Sequence, residues 1–266
     1  MLAFLKRLGW TRGSLGRRVT ASRSGARAGR VQTEDLVLLD PGMPAEVTNL
    51  AEVDPVTEQF RTIRANLLAV PIEKRPRVIL FTSPTPGEGV TLTVQRLGAA
   101  LAERGDLRVL LVDANLRDPG LDSLIEEVDG GLTEILRGDG EAIDWIRPTV
   151  TENLDLLPSG AIPGNPGELL SVPALGACLQ ELREAYDFVL IDTPSVGPVA
   201  DAAILGKNCD SAMLVVRLKS TPREVVASTL ERLAQAQVEV LGCVLTGDGE
   251  APVSKRRYRY GEVEGA

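Results

Sequence analysis

Residues 78–91 read Val-Ile-Leu-Phe-Thr-Ser-Pro-Thr-Pro-Gly-Glu-Gly-Val-Thr and form the most informative segment of this 266-residue chain. The apolar run at its start predicts a strand covered on both faces, and the segment after it predicts a loop leading into a helix. Gly87 and Gly89 allow a tight turn whose amides can bind a phosphate at the helix N-terminus, and Thr91 lies where a hydroxyl can reach Mg²⁺. A purely structural turn is the alternative for a short Gly-x-Gly loop.

The alternation of apolar runs and amphipathic stretches continues along most of the chain. Further apolar runs fall at 109–112, 154–157, 188–191, 213–216 and 240–245, with helical patterns such as 55–68, 92–104 and 222–235 between them. Continuous apolar strands separated by helices are typical of parallel sheets with helices on both faces. We therefore predict an α/β fold, with one doubly wound and mostly parallel sheet in a single domain over residues 54–247.

The segments outside this domain differ from it in composition. Residues 1–30 contain eight basic and no acidic residues, and residues 31–53 form an acidic, proline-containing linker. Residues 248–266 are polar, and we expect both terminal tails to be flexible. Met1–Trp10 is weakly amphipathic, so contact with a membrane surface is an alternative there. No apolar run is long enough to span a bilayer.

Composition excludes several classes of site. The chain has no histidine, three widely spaced cysteines and a net charge of −8. Without histidine, Ser-His-Asp and Cys-His nucleophile pairs are excluded and a zinc site is disfavoured. The acidic body argues against a nucleic-acid partner. The odd number of cysteines indicates buried thiols of a reducing cytoplasm rather than a disulfide framework.

Two aspartates stand at the ends of predicted strands. Asp113 follows the run at 109–112, and Asp192 follows the run at 188–191. Ligands of open parallel sheets bind beyond the carboxyl ends of the strands, where these side chains should meet the glycine loop. One aspartate at a strand end is usually a cap, but two beside a glycine loop are typical of a metal–nucleotide site.

From about Glu52 to Leu245 the chain resembles the bacterial tyrosine kinases (BY-kinases) of capsule and exopolysaccharide systems, which are P-loop NTPases of the MinD type. The matching segments are the glycine loop, Val112–Arg117, Gly131–Gly138, Leu157–Gly160, Asn165–Leu170, Ile191–Pro194 and Asp201-Ala202. The resemblance implies ATP or ADP bound by Gly87, Glu88, Gly89, Val90, Thr91 and Thr246. It also implies Mg²⁺ held by Thr91, Asp113, Asn115 and Asp192, with Asp113 and Asp192 as the catalytic carboxylates.

The chain departs from the family pattern at this site. Val90 stands where the family has the loop lysine that binds the β- and γ-phosphates. Asn115 replaces the second acidic residue of an Asp-x-Asp pair, Thr246 replaces the asparagine that reads adenine, and Thr85 stands where MinD relatives carry another lysine. Losing a charge-assisted phosphate contact costs about 1.5–3 kcal/mol, and losing a pre-placed cation costs about 10²–10³ in rate.

We therefore expect nucleotide binding to be weak or lost, because Val90 and Thr246 remove contacts at opposite ends of the nucleotide. A lysine or arginine from elsewhere could replace the missing cation. The candidates are Lys74, Arg77 and Lys207.

Two further motifs belong to the resemblance. Glu58-Gln-Phe-Arg-Thr-Ile-Arg64 fits a Glu-x-x-Arg-x-x-Arg element that docks on a neighbouring subunit in relatives. The spacing places Glu58, Arg61 and Arg64 on one helix face, where we expect an exposed oligomerisation surface; local ion pairs are the alternative. Tyr258 and Tyr260 match a C-terminal tyrosine cluster, which implies phospho-acceptors; a basic tail that pairs with the acidic body is the alternative.

Three functions compete. The favoured one is a degenerate, pseudokinase-like subunit that regulates or scaffolds exopolysaccharide or capsule biosynthesis and export. An active ATP-dependent tyrosine autokinase is the alternative, and a partitioning ATPase is disfavoured by Thr85 and the Glu58–Arg64 element. The expected partners are a membrane adaptor or chain-length co-polymerase, an active homologous kinase and further copies in an oligomer, with no nucleic acid. The expected location is the cytoplasm, with peripheral contact at the inner face of the membrane.

Overall fold

A computed structural model of the chain describes residues 36–39, 55–197 and 200–247. Its strands are β1 (Leu36–Leu39), β2 (Val78–Thr82), β3 (Val109–Asp113), β4 (Arg147–Pro148), β5 (Leu154–Leu157), β6 (Phe188–Asp192), β7 (Ser211–Arg217) and β8 (Val240–Thr246). They form one sheet in the order β1-β8-β7-β2-β6-β3-β5-β4. Neighbouring strands are parallel except β4, which is antiparallel to β5. The predicted mostly parallel α/β fold is confirmed.

Helices cover both faces of the sheet. They are α1 (Pro55–Ala69), α2 (Val90–Ala102), α3 (Leu132–Arg137), α4 (Ala142–Trp145), α5 (Pro166–Leu169), α6 (Pro173–Ala185), α7 (Asp201–Gly206) and α8 (Arg223–Gln235). Helices α1 and α2 share one apolar cluster with the sheet, and α3, α6, α7 and α8 share a second cluster with it. The sheet is therefore doubly wound. None of the described helices is long and apolar enough to cross a bilayer.

The central strands explain why the apolar runs are continuous. In β2, Val78 and Leu80 pack into one cluster, whereas Ile79 and Phe81 pack into the other. Successive side chains of a strand point to opposite faces, so a strand between two helical layers must be apolar at every position. The six apolar runs found in the sequence all coincide with strands.

Two strands were not predicted. Strand β1 lies inside the stretch assigned to the linker and pairs with β8, with Leu36 opposite Cys243 and Leu39 opposite Thr246. Strand β4 has only two residues, which is too short to give a periodic signal. The predictions for Met1–Trp10 and for the tail with Tyr258 and Tyr260 fall outside the described residues and stay predictions.

Candidate nucleotide and magnesium site

The loop between β2 and α2 has the conformation of an anion-binding turn. Gly87 and Gly89 have φ angles of +80° and +90°, in the left-handed region that side chains with a Cβ rarely adopt. Within the described part of the chain, the amides of residues 87–91 have no hydrogen-bond partner. Unpaired amides at the start of a helix are the groups that bind phosphate in P-loops. We call residues 83–91 the phosphate loop.

Glu88 fixes the phosphate loop to the ends of two strands. One oxygen of its buried carboxylate accepts the Thr85 amide at 2.8 Å and the Thr85 hydroxyl at 2.6 Å. The other oxygen accepts the amide of Arg217, the last residue of β7, at 2.8 Å. The Glu88 carbonyl accepts the hydroxyl of Thr246, the last residue of β8, at 2.8 Å. These four hydrogen bonds thus hold the loop in shape without a lysine.

The position of Thr246 corrects one expectation. We expected Val90 and Thr246 to serve opposite ends of a nucleotide, but Thr246 lies against the phosphate loop itself. It is buried, and its Cγ2 is 3.7 Å from the point where a Cβ on Gly89 would lie. Its hydroxyl donates a hydrogen bond to the backbone carbonyl of Glu88. The contact of Thr246 that the structure describes therefore supports the loop.

Val90, at the position of the missing lysine, lies in apolar surroundings. Val90, the first residue of α2, is partly buried and packs against the cluster of α1 and α2. None of the proposed replacements can reach it, because Lys74 and Arg77 precede β2 and Lys207 precedes β7. They lie at the amino edge of the sheet, and a five-residue strand such as β2 spans about 16 Å.

At the carboxyl edge, Arg117 lies in the loop after β3 and is held by a carboxylate. Its Nε donates to one oxygen of Asp201 at 2.7 Å, and its Nη2 donates to the other at 3.1 Å. The Asp201 side chain is only 2% exposed, so this fork is its main charge partner. Arg117 therefore orients the start of α7 rather than standing ready for a phosphate.

Asp113 and Asp192 come together as predicted, opposite each other at the ends of β3 and β6. The Thr91 hydroxyl donates to Oδ2 of Asp192 at 2.6 Å. Oδ1 of Asp192 is buried and has no partner among the described residues. Burial, and next the charge of Asp113, raise the pKa of Asp192 to about 7. A buried carboxylate with one unpaired oxygen is poised to meet a cation.

Asp113 organises the loop that follows it. Its Oδ1 accepts the Asn115 amide at 3.1 Å, and its Oδ2 accepts the amides of Gly120 and Leu121 at 2.9 Å and 2.8 Å. Burial raises the pKa of Asp113 to about 6, although these three amides oppose the shift. Gly120 packs directly on Thr91, because a Cβ there would lie 2.9 Å from Thr91 Cγ2. Asp113 thus shapes the site from its own side.

The donor set fits Mg²⁺. The side-chain oxygen of Asn115, like Oδ1 of Asp192, is buried without a partner among the described residues. Mg²⁺ prefers oxygen ligands and usually takes one or two carboxylates together with phosphates of the substrate. Within the ranges that the structure describes, no group of three or more acidic, cysteine or histidine residues forms a metal site of its own. A metal here would therefore depend on a phosphorylated ligand.

A second loop is joined to the phosphate loop. The Thr193 hydroxyl donates to the carbonyl of Phe81 at 2.7 Å, and the Val196 amide donates to the carbonyl of Ser83 at 2.9 Å. Arg232 of α8 donates to the Gly197 carbonyl at 3.0 Å. The sequence signalled the Asp-Thr-Pro turn but not these contacts, which join the loop after β6 to α8.

The charged motif of α1 lies on one face, as predicted, but its arginines are only partly exposed, at 34% for Arg61 and 20% for Arg64. Arg61 binds Glu58 at 2.5 Å and forks onto Glu103, the residue after α2. Arg64 donates to Glu103 at 2.9 Å and to the carbonyl of Ala100 at 2.5 Å. The hydrogen bond from Arg61 is the largest of the effects that lower the pKa of Glu103.

This contact corrects the expectation of a freely exposed charged surface. Within one chain the arginines hold the end of α2, which is the local ion pairing that the sequence left as the alternative. We call Glu58, Arg61, Arg64 and Glu103 the α1–α2 ion-pair cluster. Their role in assembly stays a prediction.

Comparison with known proteins agrees with this geometry. Residues 76–240 match the family described as AAA domain. The tyrosine-protein kinase YwqD of Bacillus subtilis is 36% identical over 192 residues, which cover 72% of this chain and 81% of YwqD. The tyrosine-protein kinase wzc of Salmonella typhimurium is 32% identical and the putative tyrosine-protein kinase EpsB of Ralstonia nicotianae is 34% identical. The chain spans only 29% and 27% of their respective lengths.

Solved structures are similar as well. The kinase domain of the Escherichia coli tyrosine kinase ETK aligns with a TM-score of 0.72 at 25% identity, over 87% of this chain and 95% of that one. The septum site-determining protein MinD from Pyrococcus horikoshii, complexed with Mg-ADP, aligns with a TM-score of 0.56 at 29% identity, over 64% and 69%.

Proposed function

The chain belongs to the bacterial tyrosine-protein kinases with a MinD-like P-loop fold, and we propose that it is a degenerate member of them. In this proposal it acts as a regulatory or scaffold subunit in exopolysaccharide or capsule biosynthesis and export. The observation that supports the proposal is Val90, an apolar residue that packs against the apolar cluster of α1 and α2 at the position where the family resemblance implies a phosphate-binding lysine.

The remaining residues support weak nucleotide binding. The unpaired amides of residues 87–91 would bind the phosphates, and Thr91, Asn115 and Asp192 would hold Mg²⁺. When bound, Mg²⁺ neutralises charge on the β- and γ-phosphates. Asp113 keeps the 115–121 loop in place beside Thr91. All these groups act on the ground state as well as on the transition state, so they favour binding more than catalysis.

Phosphoryl transfer requires more than this set. The developing charge on the transferred group is stabilised almost entirely by positioned cations and hydrogen-bond donors. Removing one such stabiliser typically lowers the rate by about 10²–10³. Glu88 cannot replace the missing cation, because its carboxylate is negatively charged and both of its oxygens already accept hydrogen bonds from Thr85 and Arg217. We therefore infer a chain that recognises nucleotide without transferring phosphate efficiently.

Titration with Mg-ATP and Mg-ADP tests the proposal, with Val90→Lys as the matched gain variant. We expect wild-type binding weaker than low micromolar, and a gain of about 1–2 kcal/mol, roughly tenfold, for Val90→Lys. Thr91→Ala serves as the control that removes a proposed metal ligand from the lysine-bearing variant. Low-micromolar binding of Mg-ATP by the wild type would contradict the proposal.

The alternative function is an active tyrosine autokinase. The purified chain incubated with Mg-ATP should give no phosphotyrosine, whereas an active homologous kinase should label Tyr258 and Tyr260. Labelling of the isolated chain that disappears in Asp113→Asn and Asp192→Asn variants would establish the autokinase instead.

We also propose where the chain works and what it binds. The partner class is a membrane adaptor or chain-length co-polymerase of polysaccharide export, or an active homologous kinase, in a homo- or hetero-oligomer. The free cysteines and the basic residues 1–30 support a cytoplasmic position at the inner face of the membrane.

A further inference from the structure

A groove of about 550 Å³ runs along the β4 edge of the sheet, away from the phosphate loop. Residues 123–127 form one wall, residues 147–150 form the other, and Asp129 lies between them. We call it the acidic groove. Val150 is 98% exposed, and Leu124 and Ile125 are only partly buried against the apolar cluster of α1 and α2. The groove thus offers apolar surface to a ligand.

The charge of the acidic groove is not balanced. Asp129 is paired with Arg147 at 2.8 Å. Glu126 and Glu127 are exposed and form no ion pair in the part of the chain that the structure describes. Two unpaired carboxylates beside one exposed and two partly buried apolar side chains fit a segment that combines cationic and aromatic residues, because the cations pair with the carboxylates and the rings cover the apolar side chains.

We propose that the acidic groove binds residues Lys255–Tyr260 from a second copy of this chain. That segment reads Lys-Arg-Arg-Tyr-Arg-Tyr, with four cations and two rings in six residues. The eight basic residues of 1–30 are spread over five times that length, and the two aromatic residues of that segment, Phe4 and Trp10, are six positions apart. The C-terminal segment therefore fits the carboxylates and the apolar walls of the acidic groove better than residues 1–30 do, because its cations and rings lie closer together.

The distances favour a second copy over the chain's own tail. Strand β8, after which the tail leaves, is six strand intervals from β4, or about 29 Å at about 4.8 Å per interval. Lys255 is eight residues beyond Gly247, which reaches at most about 29 Å when fully extended. The chain's own tail would have to run straight across the carboxyl edge and over the phosphate loop. The tail of another molecule has no such restriction, and two copies could exchange tails around a twofold axis.

The first test uses a fluorescent peptide of residues 253–261 and the full chain, without nucleotide. We expect the double variant E126K/E127K to weaken peptide binding by about tenfold or more, and added salt to weaken it for the wild type. The matched control is E224K/E231K, which makes the same charge change on the exposed side of α8. Equal binding by both variants, or tighter binding of a peptide of residues 1–30, would overturn the proposal.

The second test separates exchange between copies from docking within one chain. Sedimentation should show that E126K/E127K and the tail variant R256E/R257E are each less associated than the wild type. Their equimolar mixture should regain association, because one partner keeps its groove and the other keeps its tail. The tail variant leaves residues 55–247 unchanged, so it carries the test if the groove variant does not fold.

A mixture that stays monomeric, or a wild type that is monomeric at every concentration, would refute binding between copies. The inference goes beyond the proposed function and needs no nucleotide. Its failure would leave the nucleotide titrations, and the proposal that they test, unaffected.

Discussion

Each end of helix α2 carries a motif that the sequence analysis singled out, and the two motifs differ in which residues are present and in what those residues contact. At its N-terminus the phosphate loop lacks the lysine at Val90, yet the loop is held by four hydrogen bonds to Glu88. At its C-terminus Glu58, Arg61 and Arg64 are all present, yet the arginines are used within the chain by Glu103. Losing a motif residue need not destroy the geometry of a site, and keeping motif residues need not leave them available. The two ends should therefore respond differently to mutation and to pH.

The largest effect should come from pH at the N-terminal end. The folded Asp192 carboxyl keeps its proton up to about pH 7, whereas the ordinary value is 3.8. Raising the pH from 4 to 7 therefore removes a proton from the unfolded state first, and the free energy of unfolding falls. The loss should be about 2–4 kcal/mol, at 1.36 kcal/mol per pKa unit. Urea denaturation of the metal-free protein across this range measures it.

Asp192→Asn is the control for this pH effect. The amide does not ionise, so the variant should be more stable than the wild type above pH 7 and should show a flatter profile. Added Mg²⁺ at pH 8 should raise the stability of the wild type more than that of the variant. A wild-type profile that rises between pH 4 and 7 would contradict the assignment.

The next effect concerns the support of the phosphate loop. Glu88→Ala leaves the Thr85 amide, the Thr85 hydroxyl and the Arg217 amide without their acceptor in a buried place. Each buried unsatisfied group costs about 1–3 kcal/mol, and partial access of water should leave a net loss of about 3 kcal/mol. Chemical denaturation at pH 7 measures it. Glu88→Gln keeps one acceptor oxygen and should lose less; equal losses would show that shape and not hydrogen bonding decides.

The sequence predicted the parts of this comparison that depend on local pattern. The strands could be found because burial on both faces makes them apolar throughout, and Asp113 and Asp192 could be found because they end such strands. Contacts between distant residues left no local signal. Glu88 and Arg217 are 129 positions apart, and Arg64 and Glu103 are 39 apart. Strand β1 carries the same apolar signal, Leu-Val-Leu-Leu at 36–39, but it was missed because the acidic and proline residues around it led to its assignment to the linker.

The supporting residues of the site were hidden for the same reason. From the sequence, Glu88 between two glycines is an ordinary loop residue. Its supporting role is visible only in the fold, where the amide at the end of β7 donates to its carboxylate. Val90 stands where the family resemblance implies a cation, but the proposed replacements were chosen without knowing the edge of the sheet on which each one lies. Sequence spacing gives the face of a helix, whereas only the fold gives what that face meets.

The smallest effect on stability should occur at the C-terminal end of α2. The side chains of the α1–α2 ion-pair cluster are 20–53% exposed, and ion pairs with this access to water contribute about 0.2–1 kcal/mol. Glu103→Gln removes one charge and should lower the free energy of unfolding by less than about 1 kcal/mol. If α1 docks on a neighbouring subunit, the same change should increase the assembled mass seen by light scattering, because Arg61 and Arg64 are released for an acidic partner. Glu181→Gln, on the exposed side of α6, is the matched control.

The pair R61E/R64E should reduce the assembled mass, and peptide binding at the acidic groove should be the same in all these variants. The contrast between the two ends of α2 would be wrong if Glu103→Gln lowered the free energy of unfolding as much as Glu88→Ala and did not increase the assembled mass. The α1–α2 ion-pair cluster would then serve mainly to stabilise the fold. An increase in mass with little loss of stability would instead identify Glu103 as the residue that competes with a neighbour for the arginines. The difference arises from solvent access, since an exposed carboxylate can exchange partners at small cost whereas the buried Glu88 cannot.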